Sequence, residues 1–231
     1  GGIRVNKRIR VNGIPKRASD LVGQLNAVMF SANDIDLVYG PPSVRRRYLD
    51  ILLAQMDSVY LRSLQKYGRV LTQRNHLLRL MKEGRSSYEE LASWDQSLAR
   101  EGGLVLERRV AVMEELTPWV DEIYQSLTES KGGLRATYRC TVQDNNGTPA
   151  EALEAALKVN REREVALGMT VIGPHRDDLR LEVAGVDMSV YASRGQARTA
   201  ALALRLGEAR CLERRRGEQP VLLLDDVLSE L

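Results

Sequence analysis

Four apolar residues ending in two acids, Val221-Leu-Leu-Leu-Asp225-Asp226, constrain this chain more than any other segment. The run does not alternate, so it reads as a parallel strand buried on both faces, as in α/β proteins. Such a strand puts its last carboxylates at the carboxyl edge of the sheet, where a hard cation bound to phosphates is held by oxygen ligands. About thirty residues upstream, Ser193-Arg-Gly-Gln196 opens an alanine-rich helix. A Gly-containing turn at a helix start points backbone N–H groups at an anion. Together the two segments read as half of an ATP site. The other half, a phosphate loop G-x-x-x-x-G-K-[ST], is absent, since no Lys in the 231 residues is followed by Ser or Thr.

A chain of 231 residues with 43% hydrophobic content has room for one large domain or two modest ones. With one Phe and two Trp, the core must be aliphatic. The 34 basic and 31 acidic residues leave a net charge of +3, which by itself does not identify a nucleic-acid binder. Cys140 and Cys211 are isolated, with neither CxxC spacing nor a His cluster, which argues against zinc and fits a reduced, cytoplasmic setting. No apolar stretch approaches the roughly 20 residues of a membrane helix. The strand-like start at Gly1 and the end at Leu231 suggest a piece of a longer chain.

Three textures follow one another. Residues 1–30 are β-rich: Ile3-Arg-Val5 and Arg8-Ile-Arg-Val11 alternate, Asn12-Gly13 is a hairpin turn, and Leu25 to Phe30 reads as a further strand. Residues 31–130 form a helical lobe. Gly40-Pro41-Pro42-Ser43 breaks the chain and starts a helix. Leu64, Tyr67, Leu71, Leu78 and Met81 then recur at helical spacing, with Arg74 interrupting the stripe. After the turn Glu83-Gly84-Arg85-Ser86-Ser87, a long helix carries Val105, Val112, Leu116, Val120, Ile123 and Leu127 on one face, and Pro118 is expected to kink or split it. Residues 131–231 are mixed. A strand spans Leu134 to Val142, Asp144-Asn-Asn-Gly147 turns, and Thr148-Pro149-Ala150-Glu151 caps a helix running to about Leu167. The loop Val171-Ile-Gly-Pro-His-Arg-Asp-Asp178 leads into a strand over Leu179 to Val183, and the Gly195 helix and Asp225 strand close the chain.

Four of these segments carry a family resemblance. Tyr191-Ala-Ser-Arg-Gly-Gln-Ala-Arg-Thr-Ala200 and Leu222-Leu-Leu-Asp-Asp-Val-Leu-Ser-Glu-Leu231 resemble the signature and Walker B segments of the RecF family, DNA-repair ATPases related to ABC and SMC-type heads. Gly173-Pro-His-Arg-Asp-Asp178 is similar to that family's GPHRDD loop. Asp34 through Gly40-Pro-Pro-Ser-Val-Arg-Arg-Arg-Tyr-Leu-Asp50 is similar to its other conserved run. Ala32-Asn33 stands where the family usually has Pro-Glu, and the family's phosphate-loop segment has no counterpart here.

The resemblance implies an α/β ATPase head of the ABC/SMC type with a largely helical inserted lobe. It implies a homodimer sandwiching ATP, in which one subunit's signature turn caps nucleotide held by the other. Ser193 and the Gly195 backbone would contact the γ-phosphate in trans, supported by Arg194 and Gln196. Asp225 would hold Mg²⁺ through water, and Asp226 would polarise the hydrolytic water. Aspartate is shorter than the glutamate common in transporters, which points to slow turnover, and the resemblance implies a weak, DNA-dependent ATPase in the complete protein. The family's biology implies binding to double-stranded or gapped DNA, aid to recombinase loading, and the mediators RecR and RecO as partners. The chain alone, lacking a phosphate loop, is expected not to hydrolyse ATP. A non-catalytic DNA-binding scaffold, or another SMC/ABC-type head, is the alternative.

The remaining polar residues admit two readings each. His175 and Arg176 read equally as a structural loop and as groups near the nucleotide or dimer interface, and Asp34 as interface or nucleotide-proximal. Arg45, Arg46 and Arg47 read as phosphate contacts or as a solvated helix face, with at least one pairing an acid such as Asp50. The hairpin's Arg8, Arg10, Lys16 and Arg17 read as DNA contacts or as a charged edge that blocks aggregation. No recognition helix is evident, so any DNA contact is expected to be to backbone and shape.

Overall fold

The computed structural model describes residues 8–128, 132–143 and 147–225. The strand expected at Ile3 to Val5, the acidic part of the turn after Gln143, and Asp226 lie outside them. The first hairpin, β1 (Ile9–Val11) and β2 (Ile14–Lys16), forms around Asn12-Gly13. Both turn residues have positive φ, 50° and 80°, which matches the twist of a two-residue hairpin. After a short α1 (Ala18–Leu21), β3 (Ala27–Ser31) pairs in parallel with the last strand, β7 (Val221–Asp225).

Between them the chain builds its helices. A 3-10 turn (Ala32–Ile35) and α2 (Asp36–Tyr39) lead to Gly40-Pro41, and α3 (Pro42–Met56) begins with proline in its first turn. Asp57 caps α4 (Ser58–Lys82) by accepting from Val59 N at 2.7 Å and Tyr60 N at 3.1 Å. Next comes α5 (Tyr88–Thr128), 41 residues and about 60 Å long. Pro118 does not split it. Leu116 and Val120 are fully buried on either side of the ring, and the Thr117 hydroxyl donates to Ala136 O at 3.1 Å, so packing outweighs the lost backbone bond.

The remainder alternates. β4 (Leu134–Arg139) and β5 (Asp178–Val183) pair antiparallel, and β6 (Val186–Asp187) adds the third strand. Between β4 and β5, α6 (Pro149–Leu167) starts at the expected capping box, Thr148 with Glu151, and ends at Gly168, whose φ of 70° suits a left-handed cap. Then α7 (Met188–Tyr191) precedes α8 (Arg194–Arg216).

α5 is the spine of the molecule. Its first half packs with α4 and α6 around Tyr67, Leu98, Leu106, Leu153 and Leu157. Its second half packs with α8 and β4 in the largest core cluster, which reaches from Val28 to Leu212. That cluster draws on all three sequence textures. By packing, α6 goes with the helical lobe although it lies beyond residue 130. β7 departs from expectation in a different way. All five of its residues are exposed, from Val221 at 44% to Leu224 at 60%. Among the described residues it has one strand neighbour and no covering layer.

Candidate nucleotide site

Local chemistry shapes the turn at Ser193. Ser193 is extended, with φ −70° and ψ 161°, and caps α8. Its Oγ accepts from Gln196 N at 3.2 Å, while the Gln196 side-chain oxygen accepts from Ser193 N at 2.8 Å. Ser193, Arg194, Gly195 and Gln196 are all exposed, whereas Ala197, Ala200 and Leu204 on the same helix are buried. Gly195 is instructive. Its φ is not left-handed, and a Cβ there would meet only Ser193 Oγ, at 4.0 Å. Among the described residues nothing requires glycine at this position. An exposed hydroxyl, a bare backbone and the positive end of a 23-residue helix dipole therefore face outward together.

The sheet edge supplies the carboxylate. Asp225 ends β7 opposite Ser31, is exposed, and its carboxylate makes no hydrogen bond or ion pair among the described residues. Its oxygens suit a hard divalent cation that keeps most of its ligands as water and phosphate. Asp34, three residues beyond the paired Ser31, is already engaged. It accepts from Ser31 N at 2.9 Å and from Arg205 Nη2 at 2.7 Å. Arg205 also donates to Glu208 at 2.9 Å and lies 5.3 Å over the Tyr48 ring. Burial pushes the Glu208 carboxyl up to about 7, against the pull of Arg205. Sequence reading missed Arg205 altogether. It ties the β3 edge to the helix that carries the signature turn.

The loop before β5 is used internally. His175 Nδ1 lies 2.6 Å from the Tyr67 hydroxyl and Nε2 lies 3.2 Å from Thr170 O, a pairing that a neutral ring satisfies. Burial lowers the imidazole to about 4, and the positive charge of Arg176 adds to that. Arg176 turns back onto Thr170 O at 2.9 Å. The fully buried Asp177 accepts from Thr141 N and Oγ1, both at 2.7 Å, and from Tyr138 OH at 2.6 Å. Arg109 of α5 closes the loop by donating to Pro174 O at 2.7 Å and to Asp50 at 2.7 Å. Asp50 also accepts from the Tyr60 hydroxyl.

The arginine run of α3 divides. Arg45 is 7% exposed and grips Asp178 with two bonds of 2.8 Å, plus Gly40 O at 2.7 Å. Burial and three engaged N–H groups of its five withdraw it from a DNA phosphate, and it is the member of the run that pairs with an acid, Asp178. Arg46 donates to Asp177 O at 2.8 Å, and Arg47 is exposed. On the hairpin, Arg8, Arg10, Lys16 and Arg17 are exposed. Lys16 pairs across from Ile9, so it lies on the face opposite Arg8 and Arg10. The hairpin's cations thus occupy two faces.

This arrangement, a capped signature helix beside a parallel β3–β7 edge ending in aspartate, is part of an ABC-type ATPase fold. A solved structure described as the recombination mediator protein RecF-ATP in the RecFOR pathway superposes with a TM-score of 0.91 at 34% identity, over 98% of this chain and 61% of that one. The chain is 47% identical over 234 residues to the DNA replication and repair protein RecF of Chloroflexus aurantiacus, covering 97% of this chain and 59% of that protein. It is 41% identical to the RecF of Shouchella clausii, covering 97% of this chain and 62% of that protein. Over the stretch it covers, the chain is similar to RecF proteins in both sequence and fold. No protein-family model matches it. It spans about three fifths of the length of these relatives. Among the described residues, no helix is long and apolar enough to cross a membrane.

Proposed function

We propose that this chain supplies the trans-acting half of an ATP site in a DNA-binding ATPase of recombinational repair. One observation carries the reading. Ser193, Gly195 and the first free N–H groups of α8 form an exposed, pre-capped anion site at which the chain's own packing does not require a glycine. Phosphoryl-transfer sites work by positioning and charge neutralisation, so a rigid donor turn suits a γ-phosphate. Arg194 and Gln196 support the turn. Asp225 would hold Mg²⁺ through water, and the metal would neutralise charge on the transferring phosphoryl group. Asp226 would orient the attacking water.

In this reading the nucleotide is cradled by a second subunit, so ATP holds a homodimer together and binding outlasts slow turnover. The relatives' names support DNA repair, and the RecFOR structure supports recombination mediators as partners. Double-stranded or gapped DNA would be gripped through phosphates, and Arg46, Arg8, Arg10, Lys16 and Arg17 remain candidates because each is at least partly exposed. The Asp34–Arg205 pair would transmit the state of the sheet edge to the signature helix.

The test is ATP-dependent dimerisation of the full-length protein, followed by sedimentation velocity with and without ATP. Ser193→Arg should abolish the ATP-dependent dimer with little change in thermal midpoint. Asp225→Asn should leave dimers but stop turnover. Unchanged dimerisation and DNA binding in both variants would instead establish a non-catalytic scaffold.

A further inference from the structure

α4 holds six cations, Arg62, Lys66, Arg69, Arg74, Arg79 and Lys82, and no acidic residue in 25 positions. That is anomalous in a chain whose 34 basic and 31 acidic residues nearly cancel. A solvated helix of this length ordinarily carries acids at i±4 to offset its cations. Only Arg74 is consumed in the core. Arg62, Lys66 and Arg69 follow one another at spacings of four and three on the exposed face, and Gln73 and His76 continue the stripe. Across 14 residues it is about 21 Å long. Measured along the axis of a duplex, that length covers roughly six phosphates of one strand.

The middle of the stripe, Lys66, Arg69 and Gln73, lines a groove of about 650 Å³ between α4 and α5, and Arg62 lies one helical turn before it. Lys66 and Arg69 line it from α4, and Arg100 from α5. The acid lining it, Glu101, is 6% exposed and shared between Arg100 at 3.2 Å and Lys66 at 3.9 Å, so Lys66, Arg69 and Arg100 against this one carboxylate leave the groove net positive. Arg69 has no acidic partner among the described residues. Gly68 lies on the floor. A Cβ at Gly68 would meet nothing within 4 Å, and its φ is not left-handed. Glycine in the middle of a 25-residue helix weakens the helix without serving any internal contact. What it does achieve is a bare backbone between two cations, open to close approach from outside.

We propose that the α4–α5 groove is a nucleic-acid backbone site, in which Arg62, Lys66, Arg69 and Arg100 engage successive phosphates and Gly68 lets the strand approach the helix. The site is separate from the arginines of the first hairpin and of α3, and it rests on the reading that the whole protein binds DNA. Linear spacing of cations along an exposed helix favours a regular polyanion over a compact anionic ligand.

The test is duplex-DNA binding by the full-length protein, measured by fluorescence anisotropy across a salt series. Changing Arg62, Lys66 and Arg69 together to Gln should weaken binding at least about tenfold near 0.1 M salt and lower the slope of log K against log salt by about 2–3. A control with Arg85, Arg135 and Arg163 changed to Gln removes the same charge elsewhere and should move the slope far less. Gly68→Gln should weaken binding several-fold with the thermal midpoint kept or raised. If the parent binds DNA and the stripe variant matches either the parent or the control, this site is overturned while the DNA reading stands. If the parent binds no DNA, both fall. A polyglutamate peptide that binds the parent and loses binding in the stripe variant, with DNA binding unchanged, would assign the groove to an acidic protein and overturn the proposal.

Discussion

Arg74 interrupts an apolar stripe in the sequence and turns out to be wholly buried. It donates to Asp95, Glu164 and the Thr170 hydroxyl, each at 2.7 Å, and so ties α4, α5, α6 and the loop before β5 at one point. Removing one partner from such a cluster leaves uncompensated charge in the core. Arg74→Met should cost about 3–5 kcal/mol in urea unfolding, and adding Glu164→Gln should recover part of it. His175 is the second decisive residue. The free imidazole protonates near 6.5 and the folded one near 4, so between those values the unfolded chain binds the extra proton. Its contribution is therefore present above pH 6.5 and lost as pH falls towards 4. That loss amounts to as much as about 3 kcal/mol. His175→Gln should flatten the stability profile across that window relative to the parent, read by denaturant midpoints at several pH values. An unchanged slope would remove His175 from the account of the loop.

Among elements, the contrast between two helical glycines shows what packing adds to propensity. A Cβ at Gly103 of α5 would come within 2.6 Å of the Ala150 backbone, where α6 begins. Backbone cannot retreat as a side-chain tip can, so Gly103→Ala should destabilise by roughly 1–3 kcal/mol although alanine is the better helix former. Gly68→Ala should stabilise by roughly 0.5–1 kcal/mol, because only propensity changes there. Thermal unfolding of the two variants should shift in opposite directions. The elements themselves were largely legible. Asn12-Gly13, Gly40-Pro41-Pro42 and the Thr148–Glu151 box each mark a boundary by chemistry local to it. Pro118 does not split α5, because its cost is local while the burial that outweighs it comes from α8 and β4.

For the molecule as a whole, β7 stands out. Leu222 and Leu224 on one face, and Val221 and Leu223 on the other, are all 44–60% exposed. An apolar strand whose second edge is unpaired among the described residues is a template for association. The isolated 231-residue chain should bind an apolar dye and self-associate at micromolar concentration. Leu222→Lys with Leu224→Lys should reduce both, as followed by fluorescence and light scattering. Equal association in that variant would show that β7 is not the surface responsible.

Patterns a few residues long were enough to announce the helix that opens at Ser193, the acidic strand end, the hairpin and the α/β class, because each depends on hydrogen bonds and periodicity within one segment. Which cations are free was decided only in three dimensions. Arg45, Arg74, Arg109 and Arg205 find their acids at Asp178, Asp95 with Glu164, Asp50, and Asp34 with Glu208. All but the Arg205–Glu208 pair lie far apart in sequence. A guanidinium looks the same in sequence whether it faces solvent or a buried carboxylate a hundred residues away. Only the packing of α5 against its neighbours separates the two, and it leaves Arg62 and Arg69 on the outer face of α4 without an acidic partner among the described residues.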